Sequence, residues 1–240
     1  MKNKIKTFAL KPGRVLARKY QVIGLLGSGW EGEVYKVKEI DTGIERAAKI
    51  FFPQRNQNNK TLRTVVRKLH KLHNCGIVFH YHTRETFQFQ KQPVVFMVSE
   101  FVAGELLFDY IKRQRGRRLS VFKAVHLLHA LCVGIEEIHK QKEFHGDLHS
   151  DNVVVCRLGL NYKVKLLDLK HNSIGVRPNQ KMDVLDLVRL FYDMLGGPDH
   201  YAKQPANVKA IIRGLKKTLI LEKFKTVRQL REHLEDENWL

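Results

Sequence analysis

The feature that most limits what this chain can fold into is a change of hydrophobic period near residue 100. Before it, apolar residues come in short alternating or β-branched runs, QVIGLL (21–26), EVYKVKEI (33–40) and GIERAAKIFF (43–52), separated by Gly-rich or Asp-Thr-Gly turns. One helix breaks the series, where Leu62, Val65, Val66, Leu69 and Leu72 recur at three- and four-residue spacing with basic residues on the other face. Strand patterns then resume and end in PVVFMVSEFV (93–102). After Gly104 the period is helical, most strongly over Val121–Lys140, except for a hairpin of VVVC (153–156) and YKVKLL (162–167). The two periods predict an α+β chain in two parts, a β-rich part over 1–102 and a mainly helical part over 103–240.

The hairpin carries the first chemical signal. Asn152 immediately precedes its first strand and Asp168 immediately follows its second, so antiparallel pairing brings an amide oxygen and a carboxylate to one end. The loop feeding that end, HGDLHSDN (145–152), adds Asp147 and His149. Hard oxygen ligands of this kind suit Mg²⁺, which usually completes its octahedron with water and substrate phosphates.

The second signal is GSGWEGEV (27–34), in which Gly27, Gly29 and Gly32 match G-x-G-x-x-G. A strand follows, where a dinucleotide-binding fingerprint would open a helix, so that fold is excluded by context. A glycine-rich turn between two strands can instead lie over phosphates, its N–H groups unobstructed by side chains. One strand later Ala47 and Lys49 share a face, so a flat base has room beside a cation that reaches for phosphate oxygens.

With these segments in this order, residues 18–238 resemble the protein kinase superfamily. GSGWEGEV is similar to the glycine-rich loop, AAK (47–49) to the strand bearing the nucleotide-binding lysine, and SEFVAGE (99–105) to the hinge. HGDLHSDN resembles the catalytic loop, DLK (168–170) stands in the place of Asp-Phe-Gly, and DVLDLVRLFYDML (183–195) resembles the buried central helix. The resemblance implies a bilobal kinase-like fold, with an N-lobe over 1–102 and a C-lobe over 103–240, that uses ATP and Mg²⁺. It implies that Asp147 is the base orienting an acceptor hydroxyl, with His149 beside it, and that Asn152 and Asp168 are the metal ligands. Gly27, Ser28, Gly29, Gly32 and Lys49 would hold phosphates, Val34 and Ala47 would sandwich the adenine, and the backbone at Glu100–Val102 would bind its edge. Ser99 would be a small gatekeeper.

The chain departs from the family pattern in three places. Members of the family normally pair the lysine with a glutamate on the following helix, yet no acidic residue occurs between Ile50 and Arg84, and the expected position falls near Val65. Lys49 is therefore expected to be held by Asp168, by phosphate or by nothing. Gly146 and His149 stand where arginine and lysine are common, in an HGDLH-x-x-N loop that also resembles sugar and aminoglycoside kinases. Only 14 residues separate Asp168 from Asp183, which predicts a shortened activation segment with Ser173 as its one hydroxyl.

Composition bounds the partners. Lys and Arg number 43 against 24 Asp and Glu, a formal charge of +19 that favours anions. The run KRQRGRR (112–118) is the densest basic stretch, a candidate contact for nucleic acid or an acidic membrane surface. Three widely spaced cysteines, Cys75, Cys132 and Cys156, predict buried thiols in a reducing compartment, and the lack of any long apolar run predicts a soluble, cytoplasmic protein. Three functions fit the sequence: a serine/threonine protein kinase without a conventional activation loop, a small-molecule kinase, and a nucleotide-binding pseudokinase scaffold.

Overall fold

The structure, a computed structural model, describes residues 4–158, 161–170, 175–237 and 239. The chain divides into two units, one running to His73 and resuming over Phe79–Val102, the other comprising Asn74–Val78 and the chain from Ala103 onward.

In the first unit six described strands form one antiparallel sheet. They are β1 (Val15–Leu16), β2 (Tyr20–Ser28), β3 (Gly32–Glu39), β4 (Glu45–Phe51), β5 (Tyr81–Phe89) and β6 (Gln92–Glu100), in the order β1-β2-β3-β4-β6-β5. Helix α1 (Lys60–Lys71) lies between β4 and β5 in sequence and buries Leu62, Val65 and Leu69 on one stripe. Strand alternation divides the sheet's faces. Ala48 and Ile50 of β4 are fully buried with Val22, Val37, Phe96 and Val98, whereas Ala47 and Lys49 on the opposite face are half-buried.

The N-terminal segment seals the core face of this sheet. Ile5, Phe8 and Leu10 join its cluster, and the Phe8 ring stacks on Phe52 with centroids 5.4 Å apart. A buried carboxylate fixes the segment: Glu33, 3% exposed, accepts from Thr7 Oγ1 at 2.6 Å, from the Phe8 amide at 3.1 Å and from Tyr35 Oη at 2.5 Å. The Leu10 amide in turn donates to Tyr35 Oη at 3.1 Å. Burial, reinforced by the bond to Glu33, pushes the Tyr35 phenol up to about 12, so it stays a donor at neutral pH.

The second unit opens with β7 (Glu105–Leu106), which adds to the hairpin β8 (Val153–Leu158) and β9 (Asn161–Leu166) to make a sheet of order β7-β8-β9. Its helices are α2 (Leu107–Lys112), α3 (Val121–Lys140), α4 (Val176–Met194), α5 (Pro198–Tyr201), α6 (Ala206–Ile212), α7 (Lys217–Lys223) and α8 (Val227–Asp236). Leu127, Leu128, Leu131, Ile135 and Ile138 of α3 are buried, and the helix packs against α4 and α8. Residues 74–78 belong to this unit because Ile77 O accepts from the Leu166 amide at 2.8 Å and Lys165 Nζ donates to Val78 O at 3.0 Å. Ile77 also presses against Gly134 of α3, where an added Cβ would lie 2.3 Å from its Cδ1.

Helix α4 starts at Val176, seven positions before the Asp183 that opens the sequence match. Its first two turns, VRPNQKM, are mostly polar and carry Pro178, so apolar periodicity is silent there although proline is tolerated in a first turn. The two-residue β7 is too short to leave any periodic trace.

Glu33→Ala should lower stability by about 3 kcal/mol, because the buried Phe8 amide and the Tyr35 and Thr7 hydroxyls lose their acceptor at once. Denaturant unfolding measures the loss. Limited trypsin digestion at Lys4, Lys6 and Lys11 should accelerate in the variant if Glu33 is what pins the segment.

Candidate functional site

In the second unit the irregular loop 145–152 is held from below by one buried carboxylate. Asp183 of α4 is fully buried, with Oδ2 accepting from the His145 amide at 2.8 Å and Oδ1 from the Gly146 amide at 2.7 Å. His139 of α3 approaches Oδ2 through Nε2 at 2.9 Å. Gly146 has φ +84°, and an added Cβ would meet the Phe144 ring at 3.0 Å, so only glycine fits between the two anchored amides.

His145 stitches this loop to the residues after β9. Its ring is fully buried, Nε2–H donates to Leu167 O at 2.8 Å, and Nδ1 accepts from the Asp147 amide at 3.2 Å. Its carbonyl accepts from the Lys170 amide at 2.9 Å. Between those contacts stands Asp168, exposed and at φ +48°, a left-handed conformation that aspartate tolerates at some cost. The hairpin register starts with Val153 opposite Leu166, and the Leu167 amide donates to Asn152 O at 2.8 Å. Asn152 and Asp168 therefore do sit at the same end of the hairpin.

Asn152, 8% exposed, donates from Nδ2 to Asp147 O at 2.9 Å and contacts His149 Nε2 at 2.9 Å. His149 Nδ1 accepts from the Asp151 amide at 3.3 Å and lies 3.5 Å from Asp151 Oδ2. Asp147 Oδ2 lies 3.9 Å from His149 Nε2, while Asp147 Oδ1 receives Lys170 Nζ at 2.9 Å. The Lys170 pair has no counterpart in the sequence reasoning. The only signal was a basic residue in a motif position that the family fills with glycine.

In the first unit the nucleotide-type residues gather on the half-open face of the sheet. Gly27 and Ser28 end β2, Gly29 lies in the turn, and Gly32 opens β3. Val34 pairs with Lys49 across β3 and β4, Ala47 pairs with Ser99 across β4 and β6, and Ser99 is buried at 5% exposure. Glu100 ends β6 and donates its amide to His80 O at 2.8 Å, with half-buried Val102 two residues on. Of these glycines, Gly32 is forced by packing, since its Cβ would fall 1.9 Å from Ile50 O.

The structure adds a partner for Lys49 beyond the Asp168 and phosphate that the sequence pointed to. Lys49 Nζ pairs with Glu31 Oε2 at 3.0 Å, a carboxylate of the glycine-rich turn itself. Helical periodicity directed attention to the residue near Val65, which is buried on α1 at 9% exposure; a turn residue at the head of the neighbouring strand has no such marker.

Asp186, one turn beyond Asp183, gives the site a pH signature. Burial, reinforced by the neighbouring Asp183 and Asp147 carboxylates, pushes its carboxyl up to about 6 despite a hydrogen bond from the Leu148 amide. The folded state thus favours the protonated form. That stabilisation is complete below the ordinary aspartate range and is lost as pH rises through about 6. Asp186→Asn should flatten stability between pH 4 and 7 and raise it at pH 7.5 by about 1 kcal/mol after discounting for partial exposure, measured by denaturant midpoints across pH.

A model of the protein kinase domain matches residues 20–202. The chain is similar to Myosin light chain kinase 3 of Danio rerio, 24% identical over 68% of this chain and 22% of that protein. It is also similar to Serine/threonine-protein kinase 10 of Xenopus tropicalis, 27% identical over 68% of this chain and 16% of that protein. It spans less than a quarter of the length of either relative. In fold it is similar to the crystal structure of the Mycobacterium tuberculosis PknI kinase domain, with a TM-score of 0.67, 19% identity, and coverage of 95% of this chain and 99% of that one. The family model covers most of the sequence, both catalytic-loop anchors and the glycine-rich turn: the chain belongs to the protein kinase domain family.

Proposed function

We propose that this chain is an ATP- and Mg²⁺-dependent serine/threonine protein kinase that works without a conventional activation loop. The observation that carries it is the convergence of Asp147, Asn152 and Asp168 around one hairpin end, locked by His145 and Asp183. Asn152 spends its amide nitrogen on the loop, which leaves the amide oxygen as its ligand atom, and Asp168 adds an exposed carboxylate. This donor set fits a hard divalent cation, which when bound would neutralise charge on the β- and γ-phosphates.

The remaining roles are those that the kinase family assigns to matching positions. Asp147 accepts the proton of the acceptor hydroxyl and orients it, held by Lys170, while His149 positions Asn152. Lys49 and the N–H groups of Gly27, Ser28, Gly29 and Gly32 bind phosphates. Val34 and Ala47 flank the adenine, the backbone at Glu100 and Val102 reads its edge, and the small Ser99 leaves space behind it. Protein substrates are favoured because the curated relatives are named as protein kinases. The exposed basic residues of 112–118 remain available for an anionic partner such as nucleic acid or an acidic membrane, although Arg113 is engaged by Glu105 at 2.8 Å. Among the described residues no helix is long and apolar enough to cross a membrane; a cytoplasmic location is part of the proposal.

With α4 starting at Val176, only residues 169–175 connect Asp168 to it, and Ser173 lies outside the described residues. Too little chain is left for a phosphorylatable lid.

Labelled ATP with generic proteins, short peptides and sugar acceptors tests the function. Asp147→Asn should keep nucleotide affinity and lose transfer by about a hundredfold or more, whereas Asp168→Asn should lose the Mg²⁺ dependence of binding as well. Turnover only with small molecules would favour a metabolite kinase, and binding without turnover a scaffold. Ser173→Ala should leave turnover unchanged and whole proteins should outperform short peptides; strong activation that depends on Ser173 would defeat the shortened-segment account.

A further inference from the structure

Lys49 needs an anionic partner because a half-buried ammonium on a four-carbon stem is otherwise free to swing away from its task. The helix that would normally supply one cannot: α1 reads KTLRTVVRKLHK, without a carboxylate, and the buried Val65 holds the relevant stripe. The other described glutamates of the sheet are committed elsewhere, Glu100 accepting from the His80 amide at 3.1 Å. Glu33 is enclosed by the N-terminal segment, Glu39 binds Arg46 at 3.0 Å, Glu45 binds Lys36 at 2.7 Å and Glu85 binds Lys19 at 2.7 Å.

Glu31 remains, and its position is built rather than incidental. Its carbonyl accepts from the Phe52 amide at 2.8 Å, which docks the turn against the end of β4 three residues beyond Lys49. On the next residue, Gly32 lies so close to Ile50 O that no side chain fits. On the other side, Trp30 is covered by the Arg55 guanidinium 3.1 Å from its ring centroid, and the Gly29 amide donates to Gly32 O at 2.9 Å to close the turn. Held on both flanks, the Glu31 side chain reaches Lys49 Nζ at 3.0 Å, with 33% and 14% of the two side chains exposed.

We propose that Glu31 is the positioning residue for Lys49, so that the carboxylate the family carries on the following helix is carried here on the glycine-rich turn. The inference rests on Lys49 binding the nucleotide phosphates, as assigned above. The Glu31 carboxylate fixes where the ammonium points, and the lysine is preorganised for charge that develops during transfer. Seating the turn and orienting the lysine become a single event. Movement of α1 no longer makes or breaks the pair.

The test compares wild type, Glu31→Gln, Lys49→Ala and the double variant, in ATP binding by calorimetry, in kcat on a protein substrate, and in the NMR titration of the Lys49 ammonium. Glu31→Gln should lower kcat about tenfold, a mid-range effect for residues in direct contact, while the ATP Kd moves less than about threefold. Losing its carboxylate should also lower the Lys49 pKa. In the Lys49→Ala background the Glu31 change should cost nothing further, because Glu31 acts through the lysine. Wild-type or raised kcat in Glu31→Gln, an equal effect with and without Lys49, or an unmoved lysine titration would each overturn the proposal. Should the wild type fail to turn over ATP at all, the kinase assignment falls, and the Lys49 titration still decides whether the pair exists.

Discussion

The buried carboxylate of Asp183 is the interaction on which the second unit's chemistry depends. A loop that presents Asp147 and His149 outward has no ladder or helix at His145 and Gly146 to satisfy their amides, and two unpaired buried N–H groups would cost several kcal/mol. Asp183 accepts both, at His145 and Gly146, from inside a helix whose other buried residues include Val184, Leu187, Val188 and Phe191. Charge-assisted bonds of this kind are short and directional, so the loop inherits the rigidity of α4. His145 then passes that rigidity on to Leu167 and Lys170, either side of Asp168. Even the strained φ of Asp168 is tolerated because Leu167 before it and Lys170 after it are tied down.

What was legible in the sequence is what periodicity and adjacency encode. The sheet strands, the hairpin and the placing of Asn152 and Asp168 at one hairpin end follow from alternation and antiparallel register, and the structure has them. Ala47 and Lys49 share the open face for the same reason. What escaped involves contacts between residues distant in sequence and without periodic marks. Glu31 and Lys49 lie on different elements, Lys170 reaches back 23 residues to Asp147, and Glu33 holds a segment 25 residues upstream. The start of α4 and the short β7 were hidden because polar turns and two-residue strands carry no apolar period.

The two unanticipated ion pairs share a logic. In each, a residue type the family places at one motif position is absent, and a charge of the same sign arrives from a neighbouring motif. His149 stands where a lysine is common, and Lys170 brings an ammonium to Asp147 from the position that glycine usually occupies. Helix α1 lacks its glutamate, and Glu31 brings a carboxylate to Lys49 from the glycine-rich turn. Electrostatics near a reacting phosphate depends on where the charge sits rather than on which element delivers it, since the energy is set by distance and local dielectric. Substitution at the level of position, with conservation of charge in space, is how an altered motif can keep its chemistry.

Control is where the delivering element does matter. In protein kinases the lysine–glutamate pair and the placement of the metal-binding aspartate are what helix movement and activation-loop phosphorylation regulate. Here the lysine's partner rides on a turn docked to its own sheet, and the stretch following Asp168 is short, with Lys170 committed to both His145 and Asp147. Neither pair is borne by an element free to swing independently of the residue it serves. Each pair is thus contained within the packed contacts of its own unit, Glu31 with Lys49 in the first and Lys170 with Asp147 in the second, which is where they differ from the helix-borne and loop-borne contacts that the family regulates.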